Sequence, residues 1–167
     1  YQTEAQAQAN VNYLYRTGAS SKLTGAGSAY VGPFASITGQ LTGYFTNSYE
    51  GQELTCKYSR ELTRQQNTMT VSVTIDGICY KAINVANGAI KYIPEISMDQ
   101  SLANRLIGEA KFFRAWNYFN LVKIFGGVPL TVEPYESMEN MYLERASVEQ
   151  VYAQVESDLK DAVNALP

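Results

Sequence analysis

GEAKFFRAWNYFNLVKIFGGVPL, Gly108 to Leu130, joins an aromatic-loaded helix to an abrupt Gly-Gly-Val-Pro-Leu exit, and its reading decides the fold. Phe112, Phe113, Ala115, Trp116, Phe119, Leu121, Val122 and Phe125 occupy nearly every side of a 3.6-residue spiral. A helix apolar all round has no side to give to water, so the expectation is a central helix buried by other helices. Trp116, in its middle, is accordingly read as core packing rather than as a platform for a sugar ring. Gly126 and Gly127 accept the backbone angles that close a helix, and Pro129 cannot continue one. The chain should therefore leave sharply into an extended run, Val128 to Pro134.

Working outward, RASVEQVYAQVESDLKDAVNALP, Arg145 to Pro167, predicts a second helix. Ser147 is placed as N-cap with Gln150 three residues on, the spacing of a capping box. Val148, Val151, Tyr152, Val155, Leu159, Ala162, Val163 and Leu166 recur at three-to-four spacing and form the packing face. Glu149, Glu156, Asp158, Lys160 and Asp161 are assigned to the wet side. TEAQAQANVNYLYRTG, Thr3 to Gly18, reads as an N-terminal helix with Thr3 and Gln6 in capping-box spacing and Gly18 as its end. In YKAINVANGAIKYIPE, Tyr80 to Glu95, an apolar stripe of Ile83, Ala86, Ala89, Ile90 and Ile93 stops at Pro94. Thr68 to Ile78 alternates well enough for a short strand or, equally, starts the helix that follows. Val128 to Tyr135 is extended enough to pair briefly.

These blocks, in this order, resemble the SusD-like (SusD/RagB) family. The family carries an "EAQAQAAVNAAY" opening, an Ala-Asn pair at the place of Ala86 and Asn87, the aromatic helix with its Gly-x-x-Pro-Leu exit, and a following "RASVEEVY…DL…A…LP" stretch. The resemblance spans nearly the whole chain, and its specificity sits in Gly108 to Pro167. It implies an all-α fold with tetratricopeptide-like helical packing and long decorated loops. It also implies a nutrient-binding lipoprotein, anchored by lipid in the outer membrane and exposed at the cell surface. Such a protein captures an oligosaccharide without catalysis and acts as lid of a SusC-like, TonB-dependent transporter. A RagB-like protein that binds oligopeptides is the closest alternative within the family, and an interaction scaffold for the transporter that binds no ligand itself is the alternative of another functional class.

The chain has 167 residues, 46% of them apolar, which is enough for one cored domain. Family members are normally about three times longer, so residues 1–167 are read as one N-terminal region of a longer protein. Tyr1 in place of a methionine agrees with residues missing before it. No lipidation cysteine lies near the start and no run of 18 or more apolar residues is present, so any membrane attachment is expected through a lipid anchor outside these residues. Net charge is −3, with Lys and Arg scattered, which argues against nucleic acid or an anionic lipid surface as partner. With no histidine and no paired-cysteine motif, neither a zinc site nor a His-dependent nucleophile can be assembled from these residues. No metal and no cofactor are expected. Cys56 and Cys79 either form a disulfide or, for Cys79, pack as a small hydrophobe. Glu50 and Glu53 are close enough in sequence for a carboxylate pair, but the bland reading is a solvated acidic loop, and no enzyme is expected.

Binding, if it resides here, belongs to the Gly-, Ser-, Thr-, Asn- and Tyr-rich stretch Ser20 to Asn67, which has no sustained helical period. A sugar presents apolar C–H faces edged by hydroxyls, so its sites combine flat aromatic rings with amides, guanidinium groups and carboxylates. Tyr44, Asn47, Tyr49, Glu50, Tyr58, Arg60 and Arg64 supply that chemistry and are the candidate ligand contacts. The resemblance puts this stretch at the family's ligand-facing surface. It also marks a departure, since the acidic residue that often follows "GYF" is replaced here by Asn47-Ser48. The competing reading is that these tyrosines close the surface of the helical core.

Overall fold

The structure, a computed structural model, describes residues 2–15, 79–136 and 143–167. All of them fall in one compact unit, Tyr1–Tyr15 with Cys79–Pro167. The described elements are α1 (Glu4–Leu14), α2 (Tyr80–Tyr92), a 3-10 turn (Ile93–Glu95), α3 (Gln100–Phe125) and α4 (Val148–Ala165). No strand occurs among the described residues. The extended run after α3 makes one isolated bridge, Pro129 to Arg145.

Three of the four described helices start at a capping side chain, whereas α2 follows Cys79 with no side-chain cap bond. The Thr3 hydroxyl accepts the Gln6 amide at the head of α1, and the Gln6 side chain turns to the Gln2 amide instead of closing the box on Thr3. α1 runs only to Leu14, and Gly18, its expected end, lies outside the described residues. Asp99 caps α3 through the Leu102 amide at 2.8 Å. Ser147 and Gln150 make a complete capping box at α4, with bonds of 3.3 and 2.8 Å.

α3 ends as its glycines require. Gly126 has φ of 70°, which an L side chain rarely adopts, and its N–H closes on the Val122 carbonyl at 2.9 Å. At Gly127 a Cβ would sit 2.4 Å from the Ala146 carbonyl oxygen, so the missing side chain lets the α4 approach cross close to the exit.

α3 is the centre of the unit, packed on α1, α2 and α4. Contacts of Lys111 with Asp161, Arg114 with Asp158 and Phe119 with Tyr152 run in opposite directions along the two chains, so α3 and α4 are antiparallel. The core gathers Val11 and Leu14 of α1, Ile83 and Ala86 of α2, Leu106, Phe113 and Leu121 of α3, and Val151 and Val155 of α4. Burying aliphatic and aromatic side chains of this size stabilises by about 1.5–3 kcal/mol each before conformational entropy is set against it.

Three sequence expectations change here. α3 is not buried all round: Phe112 is 39% and Trp116 37% exposed, their rings stacked with centroids 6.4 Å apart, so Trp116 is not a core residue of this unit. The sides filled by neighbours carry Arg114, Asn117, Tyr118 and Asn120 as well as apolar groups. On α4 the packing face is narrower than the apolar periodicity suggests. Val151, Val155 and Ala162 are buried, whereas Val148, Tyr152, Leu159 and Val163 face outward. Asp158, assigned to the wet side, is 1% exposed, because it lies one turn along the buried stripe opposite Arg114.

Candidate functional site

The residues singled out for ligand contact, Tyr44, Asn47, Tyr49, Glu50, Tyr58, Arg60 and Arg64, all lie outside the described residues, as does Cys56. What the described part contains is the frame behind the signature exit.

Apart from the single bridge to Arg145, the extended segment after Gly127 has no partner strand among the described residues, and its backbone groups bond to side chains from α2 and α3. Tyr80 Oη donates to the Pro129 carbonyl at 2.6 Å. Tyr118 Oη donates to the Thr131 carbonyl at 2.8 Å and accepts the Thr131 amide at 2.7 Å, so a single phenol stands in for both groups of a neighbouring strand. Asn87 Nδ2 donates to the carbonyls of Thr131 and Glu133 at 3.2 and 3.0 Å. Arg114 Nη1 reaches the Val132 carbonyl at 3.2 Å, and Asn84 Oδ1 accepts the Tyr135 amide at 2.8 Å. The Val128 carbonyl accepts the Ala146 amide at 3.0 Å, which ties the segment to the approach of α4.

The reading side chains are themselves held. Arg114, 5% exposed, makes a two-pronged pair with Asp158: Nε to Oδ2 and Nη2 to Oδ1, each 2.7 Å. Its Nη1 also donates to Asn87 Oδ1 at 2.8 Å, and Gln154 adds a donor to Asp158 at 3.1 Å. A buried guanidinium and carboxylate are tolerated because the fork geometry matches and the remaining lone pairs and protons are used. One chain of bonds thus links α2, α3, α4 and the exit segment.

Burial sets the titration of the neighbouring groups. It pushes the phenols of Tyr118 and Tyr80 well above the ordinary tyrosine value. The Cys79 thiol, buried and free, is pushed up to about 12. All three are neutral at physiological pH, which suits hydrogen-bonding and packing parts rather than nucleophiles. At the open edge, Glu136 accepts from Lys91 at 2.7 Å and from the Tyr92 hydroxyl, and these bonds hold its carboxyl below the usual range.

An open groove of about 560 Å³ lies between α3 and α4, with Ser101, Asn104, Lys111, Asp161 and Asn164 among its lining. Lys111 and Asp161 pair across it at 2.5 Å. It offers polar groups but no aromatic ring, so it lacks the stacking surface a sugar ring needs. Among the described residues no three His, Cys, Asp or Glu side chains come together to hold a metal, and no helix is long and apolar enough to cross a membrane.

Arg114, Tyr118, Asn84 and Asn87 were not singled out as a framework from the sequence alone, although their signal is visible in retrospect. Tyr80, Asn84 and Asn87 repeat along one face of α2, and Arg114 and Tyr118 stand four apart on one side of α3. Polar groups in such places must have partners, and an exit segment without a strand supplies them.

An all-α unit with tetratricopeptide-like packing and a side-chain-held exit segment defines the class of protein. Residues 19–167 match the SusD-like family described as "Starch-binding associating with outer membrane", and the chain belongs to that family. SusD-like protein P2 of Formosa agariphila is 30% identical over 89 residues, which are 53% of this chain and 18% of that protein. Among solved structures, a "Laminarin binding SusD-like protein" is similar over 100% of this chain and 35% of its own, with 24% identity and a TM-score of 0.72. A structure described as "with xylogluco-oligosaccharide" is similar over 96% of this chain and 30% of its own, with 20% identity and a TM-score of 0.71. A SusD-like carbohydrate binding protein from Bacteroides fragilis gives 99% and 32%, with 21% identity and a TM-score of 0.70. The chain thus spans about a third of the length of these solved relatives.

Proposed function

We propose that this chain is part of a cell-surface, lipid-anchored outer-membrane protein that binds an oligosaccharide without catalysis and acts as lid of a SusC-like, TonB-dependent transporter. The observation that carries the reading is the family match over residues 19–167. The relatives described with laminarin and with a xylogluco-oligosaccharide support a glycan over a peptide as ligand. The ligand contacts are assigned to Tyr44, Asn47, Tyr49, Glu50, Tyr58, Arg60 and Arg64, whose rings and polar groups match the two faces of a sugar. The exit framework contributes rigidity and takes no part in binding.

The test is calorimetric titration of the full-length protein with starch-, laminarin- and xyloglucan-derived oligosaccharides and with a peptide mixture. Binding to one glycan class is expected. Changing Tyr44, Tyr49 and Tyr58 together to Ala should weaken it by roughly tenfold or more, since each ring contact is worth about 0.5–1.5 kcal/mol. Unchanged affinity in the folded variant would move the site elsewhere, and peptide binding alone would overturn the glycan assignment. Release of sugar products on long incubation would contradict a non-catalytic role.

A further inference from the structure

Asn87 and Gly88 make the one Asn-Gly pair in the 167 residues. In a flexible chain this is the dipeptide most prone to deamidation, because the glycine nitrogen, with no side chain beside it, easily reaches the asparagine side-chain carbon. Here the pair stands inside α2, and both residues are buried, Asn87 to 1% exposure. Three restraints keep the reaction from starting. In a helix the Gly88 amide donates to the carbonyl four residues back, that of Asn84, and the helical ψ turns it away from the Asn87 side chain. Asn87 Nδ2, the group that would leave, donates to the carbonyls of Thr131 and Glu133 at 3.2 and 3.0 Å. Asn87 Oδ1 accepts from Arg114 Nη1 at 2.8 Å, and Arg114 is itself forked onto Asp158. The side chain therefore cannot rotate toward Gly88 without opening the clamp on the exit segment.

We propose that Asn87-Gly88 is a guarded deamidation site, silent in the folded protein and reactive once α2 and the exit segment separate, so that opening of this unit is recorded as a permanent chemical change. In the opened chain the Gly88 nitrogen gives up its proton and bonds to Asn87 Cγ, the Cγ–Nδ2 bond breaks, and ammonia leaves with that proton. Water then opens the resulting ring at one of its carbonyls, which yields aspartate or isoaspartate at position 87. Water enters and ammonia leaves, so no oxidant or reductant is involved. Neither product rebuilds the clamp. Aspartate keeps an acceptor for Arg114 but sets a carboxylate against the Thr131 and Glu133 carbonyls in place of their donor. Isoaspartate routes the main chain through Cβ, which lengthens the backbone and breaks the register that puts Tyr80, Asn84 and Asn87 on one face. Unfolding of this unit thereby becomes irreversible through chemistry and not through aggregation alone. The guard is built from α2, α3 and the exit segment, and owes nothing to the ligand assigned above.

The test holds the full-length protein, with a thiol reductant, at mildly alkaline pH in buffer and in guanidinium chloride, beside the synthetic peptide VANGAI of residues 85–90. Conversion at Asn87 is followed by tandem mass spectrometry of the tryptic peptide Ala82–Lys91, which also contains Asn84 as an internal comparison. In guanidinium chloride Asn87 should convert at the rate of the free peptide. In buffer it should convert at least about a hundredfold more slowly, because reaction there waits for the unit to open. Protein returned to buffer after increasing times in denaturant is then separated by size-exclusion chromatography into refolded and unrefolded fractions. Modified Asn87 should collect in the unrefolded fraction. Conversion in buffer as fast as in the peptide would overturn the guard, and modified Asn87 shared equally between the two fractions would overturn the loss of the clamp.

Discussion

At the scale of single residues, the pair of Arg114 and Asp158 is the part on which most others depend. Removing one partner strands a buried charge, so Arg114→Met should destabilise the protein by about 3–5 kcal/mol in urea unfolding. Replacing both, Arg114→Met with Asp158→Leu, should cost clearly less than the sum of the single changes, as a double-mutant cycle would record. Additive losses would mean that the two side chains do not act as a pair. Tyr118→Phe keeps the ring and removes a hydroxyl that serves both backbone groups of Thr131. Asn87 still serves the Thr131 carbonyl, but the amide is left buried and unpaired, at a cost of about 1–3 kcal/mol.

The same residues set an alkaline limit. Cys79, Tyr80 and Tyr118 titrate above their ordinary values of 9.0, 10.0 and 10.0, because burial disfavours their charged forms. A raised folded-state value leaves stability unaffected below the unfolded-state value. Above it the unfolded chain gives up protons that the folded chain still holds, so stability falls as pH rises. The melting temperature should therefore decline from about pH 9 upward, on account of these groups. Tyr80→Phe with Tyr118→Phe should flatten the decline when each variant is compared with its own value at neutral pH. A slope unchanged in that double variant would show that neither phenol contributes.

At the scale of elements, the exit of α3 and the entry of α4 form one crossing. Gly127→Ala puts a methyl group against the Ala146 carbonyl, which is backbone and cannot swing aside, so a loss of melting temperature is expected. Ser147→Ala removes one half of the capping box and should cost about 0.5–2 kcal/mol. Both are checked by thermal and denaturant unfolding of the folded variants. These features were legible beforehand, because glycine geometry and capping are local and need only the neighbouring residues. The exit itself was legible as an extended run, but not what holds it: its hydrogen bonds come from Asn84, Asn87, Arg114 and Tyr118, distant in sequence and recognisable only once α2 and α3 are side by side. Asp158 was misassigned for a related reason, since periodicity weighs a carboxylate as polar and cannot see the guanidinium opposite. Trp116 and the outward row of α4 were read as core, because apolar spacing shows that a face wants cover and not which molecule or segment supplies it.

At the scale of the whole molecule, the all-α fold and the family were both carried by the order of motifs from Gly108 to Pro167. The ligand was not, because a binding loop is selected for its shape and not for a repeating pattern. The described unit has the character of a frame, with a central helix, a clamped exit and an outward apolar face, while the candidate sugar contacts, at positions 44 to 64, lie outside the described residues. The account therefore rests on the proposed partnership with a SusC-like, TonB-dependent transporter. Purifying the full-length protein from detergent-solubilised outer membrane and identifying its companions by mass spectrometry tests that claim most directly. A large TonB-dependent barrel in stoichiometric amount is the expected result, and recovery of the protein from that membrane with no barrel bound would contradict it.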